Sequence, residues 1–247
     1  MTYCVGICLQ EGLVVLADTR TNAGLDNIAT FRKLHVFERP GEKLFVLATA
    51  GNLAFTQSIL AVLREGFETA DGPRTLLDQP TMFKAAQFIG EVVRHTYQSE
   101  GIAIEQAGTS LDFTMLFGGQ IKSQPMKLYL MYRAGNFIET TPDTPYLQIG
   151  EHKYGKPILD RAVTYNMDLN DALKVALISM DSTIRSNLGV GMPLDFVMLR
   201  RDAMSFDLKT RIEPGEPYFH DLRERWSAAL RRAHMDIPAP PYGQQST

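Results

Sequence analysis

The pattern of this chain predicts an α+β protein. Short apolar runs with strand chemistry come in pairs joined by turn residues, and longer stretches between them carry apolar residues at helical spacing. The block order reads strands, two helices, strands, two helices, strands. Two stacked sheets with helices outside accommodate that order, as do other α+β layer arrangements.

The elements follow in turn. Positions 2–9 read as a strand and positions 13–18 as its partner, with Gln10-Glu11-Gly12 as the turn. That loop sets Leu9 against Leu13 and Thr2 opposite Arg20, which places Asp18 on the same face as Thr2. A second hairpin pairs 33–37 with 44–49 through Arg39-Pro40-Gly41-Glu42. Ala50-Gly51-Asn52 leads into a helix over 53–67, closed by Asp71-Gly72-Pro73, and Phe83, Ala86, Ile89, Val93 and Tyr97 mark a helix over 82–98. Strands follow at 113–117, ending at Gly118-Gly119, then at 127–133 and 146–149. Helices are expected at 154–163 and 169–186, and a last strand pair at 195–200 and 205–210. After Ile212 the pattern changes: Glu213-Pro214-Gly215-Glu216-Pro217 reads as a linker and 220–233 as an amphipathic helix with Leu222, Trp226 and Leu230 in one stripe. The expected division is therefore 1–212 as the main domain and 213–247 as a C-terminal helix with a Pro-rich tail.

Composition narrows the function classes. The 247 residues are 45% hydrophobic and 21% charged, the range of a soluble globular protein. A net charge of −3 gives no electrostatic case for nucleic acid or an anionic membrane. No apolar run approaches the roughly 20 residues of a membrane span, and positions 1–30 lack a signal-peptide pattern, so a cytoplasmic location is expected. Cys4 and Cys8 lie too far apart on one strand to bridge, which fits a reducing compartment. There is no His-Glu-x-x-His motif, no Cys–His pairing and no Gly-x-Ser-x-Gly elbow, so no metal, no cofactor and no serine-hydrolase chemistry are expected. Gly189-Val190-Gly191 is a lone Gly-x-Gly and a weak basis for a phosphate site.

Thr2 is the residue with chemistry to offer. Removal of Met1 would leave Thr2 with a free α-amine and a hydroxyl on adjacent carbons, a nucleophile and a base in one residue. The amine's ordinary pKa of roughly 7.7–8 suits a general base near neutral pH. Lys33, beside Phe31, Arg32 and Leu34, reads ordinarily as a solvated strand-end lysine. Next to Thr2 it would favour alkoxide character at the hydroxyl, with Asp18 orienting it and keeping it charged. Gly51, at a strand-to-helix step where N–H groups are left free, offers a donor to an oxyanion.

Thr2, Asp18-Thr19-Arg20, Lys33 and Ala48-Thr49-Ala50-Gly51 together resemble a proteasome β-type subunit of the N-terminal nucleophile (Ntn) hydrolases. Met1-Thr2-Tyr3-Cys4-Val5, the stretch 18–24 and Thr30-Phe31-Arg32-Lys33-Leu34-His35-Val36-Phe37 resemble the bacterial Anbu branch of that family. The resemblance implies a four-layer αββα sandwich, here with an added C-terminal helix. It implies catalytic roles for Thr2, Asp18, Lys33 and Gly51. It implies that Thr49 and Leu53 line the pocket for the substrate side chain before the scissile bond, and that the backbone of Thr21 and Asn22 pairs with an extended peptide. A homo-oligomer, ring or related, is expected with it, acting on peptides or unfolded protein.

Two positions depart from the family pattern. The family's serine after the glycine matched by Gly150 is replaced by Glu151, followed by His152. No Asp with a Ser three residues on stands at the step after the long helix, where Ser186 and Asn187 are the candidates for the supporting role. Both positions tune the amine and its proton path, so weak activity is expected. The expected function is a threonine-type endopeptidase. The alternatives are a catalytically silent ring or scaffold subunit and a non-peptide Ntn amidase, since the pocket and not the nucleophile sets the substrate.

Overall fold

The computed structural model describes residues 1–22, 28–69 and 72–242. They form two compact units, Met1–Pro214 and a second from Gly215 onward. In the first unit β1 (Tyr3–Cys8) and β2 (Gly12–Asp18) make an antiparallel hairpin, followed by the short pair β3 (Arg20–Asn22) and β4 (Ile28–Thr30). Then come β5 (Leu34–Arg39), β6 (Lys43–Gly51), α1 (Leu53–Glu65), the small hairpin β7 (Phe67–Thr69) and β8 (Gly72–Arg74), and α2 (Met82–Thr96). A π-helical turn over Tyr97–Gly101 joins α2 to α3 (Ile102–Gln106). The strands β9 (Phe113–Ile121), β10 (Lys127–Tyr132), β11 (Phe137–Glu139) and β12 (Tyr146–Gly150) precede α4 (His152–Ala162) and α5 (Leu169–Ser186), and β13 (Leu194–Arg200) with β14 (Leu208–Ile212) ends the unit. The second unit carries α6 (Pro217–Asp236), started by the Glu216 carboxylate, which accepts from Tyr218 N and Phe219 N, with Pro217 in the first turn where its missing N–H costs nothing.

The strands assemble into two five-stranded sheets, ordered β12-β1-β2-β13-β14 and β11-β10-β9-β6-β5. The period-2 alternation of β6 shows how they are used. Leu44, Val46, Ala48 and Ala50 join Cys4, Leu13, Val15, Ala17 and Val197 of the other sheet in one core. Phe45 and Leu47 point the other way, into a second core with Phe55 and Ile59 of α1 and Phe88 and Ile89 of α2. On the first sheet, the Tyr3 hydroxyl meets the Ser179 hydroxyl of α5 at 3.0 Å.

Two glycines sit where the sequence was expected to turn. Gly12 belongs to β2: a Cβ there would run into the Leu199 carbonyl oxygen of the neighbouring strand, so the glycine permits close approach rather than reversal. The loop is thus shorter than expected, with Leu9 N donating to Gly12 O at 2.7 Å and Cys8 paired with Leu13. The register shifts by one, so Thr2 does not face Arg20. One step beyond the Cys4–Ala17 pair, Tyr3 stands against Asp18, and Asp18 shares its face with Tyr3, not with Thr2. Gly119 plays a similar part in β9, where it lies against the Leu44 carbonyl and the strand runs on to Ile121 instead of ending at Gly118-Gly119. Cys4 and Cys8 are buried free thiols. Among the described residues no helix is long and apolar enough to cross a membrane.

Candidate active site

Thr2 is fixed by its backbone before its side chain is considered. Its carbonyl accepts from Glu151 N at 2.7 Å where β12 turns into α4. Gly150 makes that turn with φ +79°, and a Cβ there would run into the Thr2 carbonyl. Thr2 is buried while Met1 remains exposed in front of it. The Thr2 hydroxyl donates to the Met1 carbonyl at 2.8 Å, and Lys33 Nζ donates to the same oxygen at 3.2 Å.

The Lys33 ammonium is shared among three acceptors. It reaches Asp18 Oδ1 at 2.7 Å and Arg20 O at 2.6 Å besides Met1 O. Asp18 is fully buried and Lys33 nearly so. The expected Asp18–Thr2 contact is not made; Lys33 instead links the Asp18 carboxylate to the Met1 carbonyl, the oxygen that also accepts from the Thr2 hydroxyl. Burial pushes the Asp18 carboxyl above the ordinary carboxylate range, against the pull of Lys33 and of two backbone donors, Tyr3 N at 3.0 Å and Gly191 N at 3.3 Å. Thr49 holds the lysine's own backbone, with its N–H donating to Lys33 O at 3.0 Å and its hydroxyl at 3.4 Å. Behind them the Cys4 thiol approaches Thr49 O at 3.9 Å, and burial pushes its pKa up, which keeps it protonated and inert.

Gly51 closes β6. Asn52 N donates to Asp112 O, which makes Asn52 and Asp112 a hydrogen-bonded pair and leaves the Gly51–Phe113 pair without bonds to each other. The Gly51 N–H therefore points away from β9, toward the side where β5 has already ended at Leu34. Its φ of +119° and the Asp112 carbonyl against its Cα both require glycine. Asn52 then starts α1, its side-chain oxygen accepting from Phe55 N at 3.1 Å.

Thr2, Lys33, Thr49, Gly51, Leu53 and Thr21 line one cleft of about 780 Å³. Asn22 pairs through its backbone with Ile28 at the end of β3, and 23–24 of the motif lie outside the described residues. The same cleft is lined by Thr109, Ser110, Asp112, Phe113 and Thr114, which no sequence signal marked as site residues, and by Gly150 and Glu151. Glu151 occupies the departure position at the cleft, and its carboxylate lies 3.7 Å from Lys153 Nζ. The Asn187 side chain accepts from Gly189 N at 2.9 Å, two residues on, and Ser186 is exposed at the end of α5. Gly191, read in the sequence only as part of a Gly-x-Gly, donates to Asp18. Among the described residues no cluster of His, Cys, Asp or Glu is arranged to hold a metal ion.

The chain is similar throughout its length to several solved structures. A Gly-1 mutant of Anbu from Hyphomicrobium sp. strain MC1 is 45% identical, covers 97% of this chain and 99% of its own, and superposes with a TM-score of 0.90. Anbu (ancestral beta-subunit) from Yersinia bercovieri is 44% identical over 98% of this chain and 100% of its own, with a TM-score of 0.90. The helical assembly of the Anbu complex from Pseudomonas aeruginosa gives the same identity, coverage and TM-score. Among curated proteins, proteasome subunit beta 2 of Pyrobaculum islandicum is 25% identical over 209 residues, 82% of this chain and 92% of that protein. No protein-family model matches the chain.

Proposed function

Because the chain belongs to the Anbu branch of the proteasome-like Ntn hydrolases, we propose that it is a threonine peptidase whose nucleophile is Thr2 once Met1 is removed. The observation that carries this reading is the Lys33 ammonium, desolvated and aimed by Asp18 and the Arg20 carbonyl at the oxygen beside Thr2. On this reading the two sheets and their flanking helices form a four-layer αββα sandwich, and the protein works as a cytoplasmic homo-oligomer.

The chemistry follows from the groups present. The Thr2 hydroxyl attacks the scissile carbonyl carbon while its α-amine takes the proton, directly or through water. Lys33 lowers the cost of negative charge on the hydroxyl oxygen and, by its own charge, favours the neutral amine. Gly51 N–H donates to the oxyanion of the tetrahedral intermediate. The protonated amine returns its proton to the leaving amine, and water then hydrolyses the ester between the acyl group and Thr2. Thr21 and Asn22 present backbone to an extended peptide, and Thr49 and Leu53 meet the side chain before the scissile bond.

A second reading, the silent subunit, is favoured by one feature of the chain with Met1 attached. The Met1 carbonyl then occupies both the Thr2 hydroxyl and Lys33, and the Thr2 nitrogen is an amide with no basic lone pair. Intact mass and N-terminal sequencing of the purified protein separate the two. A chain starting at Thr2 that cleaves fluorogenic peptides, with cleavage lost in Thr2→Ala, supports the peptidase. A chain that keeps Met1, or equal cleavage by Thr2→Ala, overturns it.

A further inference from the structure

The segment between α5 and β13, residues 187–193, is tied to the Asp18–Lys33 pair from several sides. Gly191 N donates to Asp18 Oδ2 at 3.3 Å, the Thr19 hydroxyl donates to Pro193 O at 2.7 Å, and the Arg20 guanidinium donates to Leu188 O at 3.0 Å. Gly191 lies directly against that guanidinium, so a Cβ at 191 would run into it. Arg20 also touches the pair itself, because its carbonyl accepts from Lys33 Nζ at 2.6 Å. The contacts close into a ring, from Lys33 to the Arg20 carbonyl, from the Arg20 guanidinium to the loop, from Gly191 N–H to Asp18, and from Asp18 back to Lys33.

We propose that Gly191 and Arg20 are positioning residues for the proposed reaction, Arg20 pressing the 187–193 loop onto the Asp18 carboxylate and Gly191 supplying the N–H that orients it. This rests on the peptidase reading, and it assigns the supporting role that the family's Asp and Ser leave open here to a guanidinium and a backbone amide. Glycine is needed at 191 because any side chain would displace the clamp. Two donors fix the two carboxylate oxygens independently of Lys33, Tyr3 N on Oδ1 and Gly191 N on Oδ2, so the lysine can lean toward Thr2 without carrying the carboxylate with it. The charged or titratable groups around Asp18 are Lys33, Arg20, the protonated Cys4 thiol and the Thr2 amine once it is free.

The test is a double-mutant cycle on the intact protein with Gly191→Ala, Arg20→Met and the pair. Its first readout is the ¹³C carboxyl titration of Asp18, which needs no turnover. Its second is kcat and KM on a fluorogenic peptide. The Asp18 midpoint is expected to rise in each single variant, as an N–H donor to the charged form is lost. kcat is expected to fall about tenfold or more with KM changed less than about twofold, as for a misplaced catalytic group. Gly191→Ala should add little once Arg20→Met has removed the guanidinium it collides with. An unchanged Asp18 midpoint in both single variants, or full additivity of the two, overturns the proposal. A wild-type chain that hydrolyses nothing counts against the peptidase reading instead, and the carboxyl titration still decides the clamp. If Arg20→Met does not fold, Arg20→Lys keeps a donor to Leu188 and must restore the wild-type midpoint; failure to do so in a folded protein also overturns it.

Discussion

At Lys33 the cost of burial and the use of burial meet. Its ammonium and the Asp18 carboxylate are both withdrawn from water, and each makes the other tolerable. Removing one partner leaves the other as an unpaired buried charge. Lys33→Ala is therefore expected to destabilise the fold by about 3–5 kcal/mol, read by urea denaturation, and to abolish hydrolysis. Thr2→Ala should behave oppositely, abolishing hydrolysis while leaving the denaturation midpoint and the oligomeric state unchanged, because among the described residues the Thr2 hydroxyl bonds to the Met1 carbonyl, an oxygen that the proposed removal of Met1 would take away. A Thr2→Ala protein that unfolds early would show the hydroxyl to be structural. These side chains were legible in the sequence through their combination, since Lys33 alone reads as a solvated strand-end lysine and it is Thr2, Asp18-Thr19-Arg20 and Lys33 together that resemble a proteasome β-type subunit. Gly191 and the cleft residues Thr109, Ser110, Asp112, Phe113 and Thr114 were not, because what they contribute is a backbone N–H or a spatial position, and neither leaves a mark on residue type.

At the level of elements the sequence located most strands and helices, and α5 lies over the residues expected of it. It missed the small pairs β3–β4 and β7–β8, whose three-residue strands are too short to show alternation. The register of the first hairpin was misread for a definite reason. Glycine serves both to turn a chain and to let two backbones meet, and Gly12 does the second. Gly51, at the end of β6 in the other sheet, meets two demands, since φ +119° and the Asp112 carbonyl both exclude a side chain. Gly51→Ala is expected to cost roughly 1–3 kcal/mol in backbone strain. It should also lower kcat by about a hundredfold or more by swinging the N–H away from the oxyanion, with KM little changed. Stability and kcat measured on the same preparation check both parts. A normal kcat in the destabilised variant would remove Gly51 from the oxyanion site.

For the molecule as a whole, the pH dependence of folding is set by groups that burial forces into one protonation state, and His35 is the clearest of them. It sits on β5 with Arg64 of α1 near its Nδ1 at 3.5 Å. Burial first, then the Arg64 charge, pushes its pKa down to about 4, with only Asp195 and a backbone contact at Arg32 pulling the other way. The imidazole is thus neutral in the folded chain at pH values where the unfolded chain, titrating near the ordinary value of about 6.5, is already protonated. The unfolded state binds the extra proton, so stability from this residue is complete above about pH 6.5 and is lost as pH falls toward about 4. The full loss is at most roughly 3 kcal/mol. Unfolding free energies of the wild type and His35→Gln, compared from pH 7.5 to 4, should converge as pH falls, because the variant carries no titrating group at this site. A constant difference across that range would mean that His35 titrates alike in both states and that the packing of β5 beneath α1 does not hold it neutral.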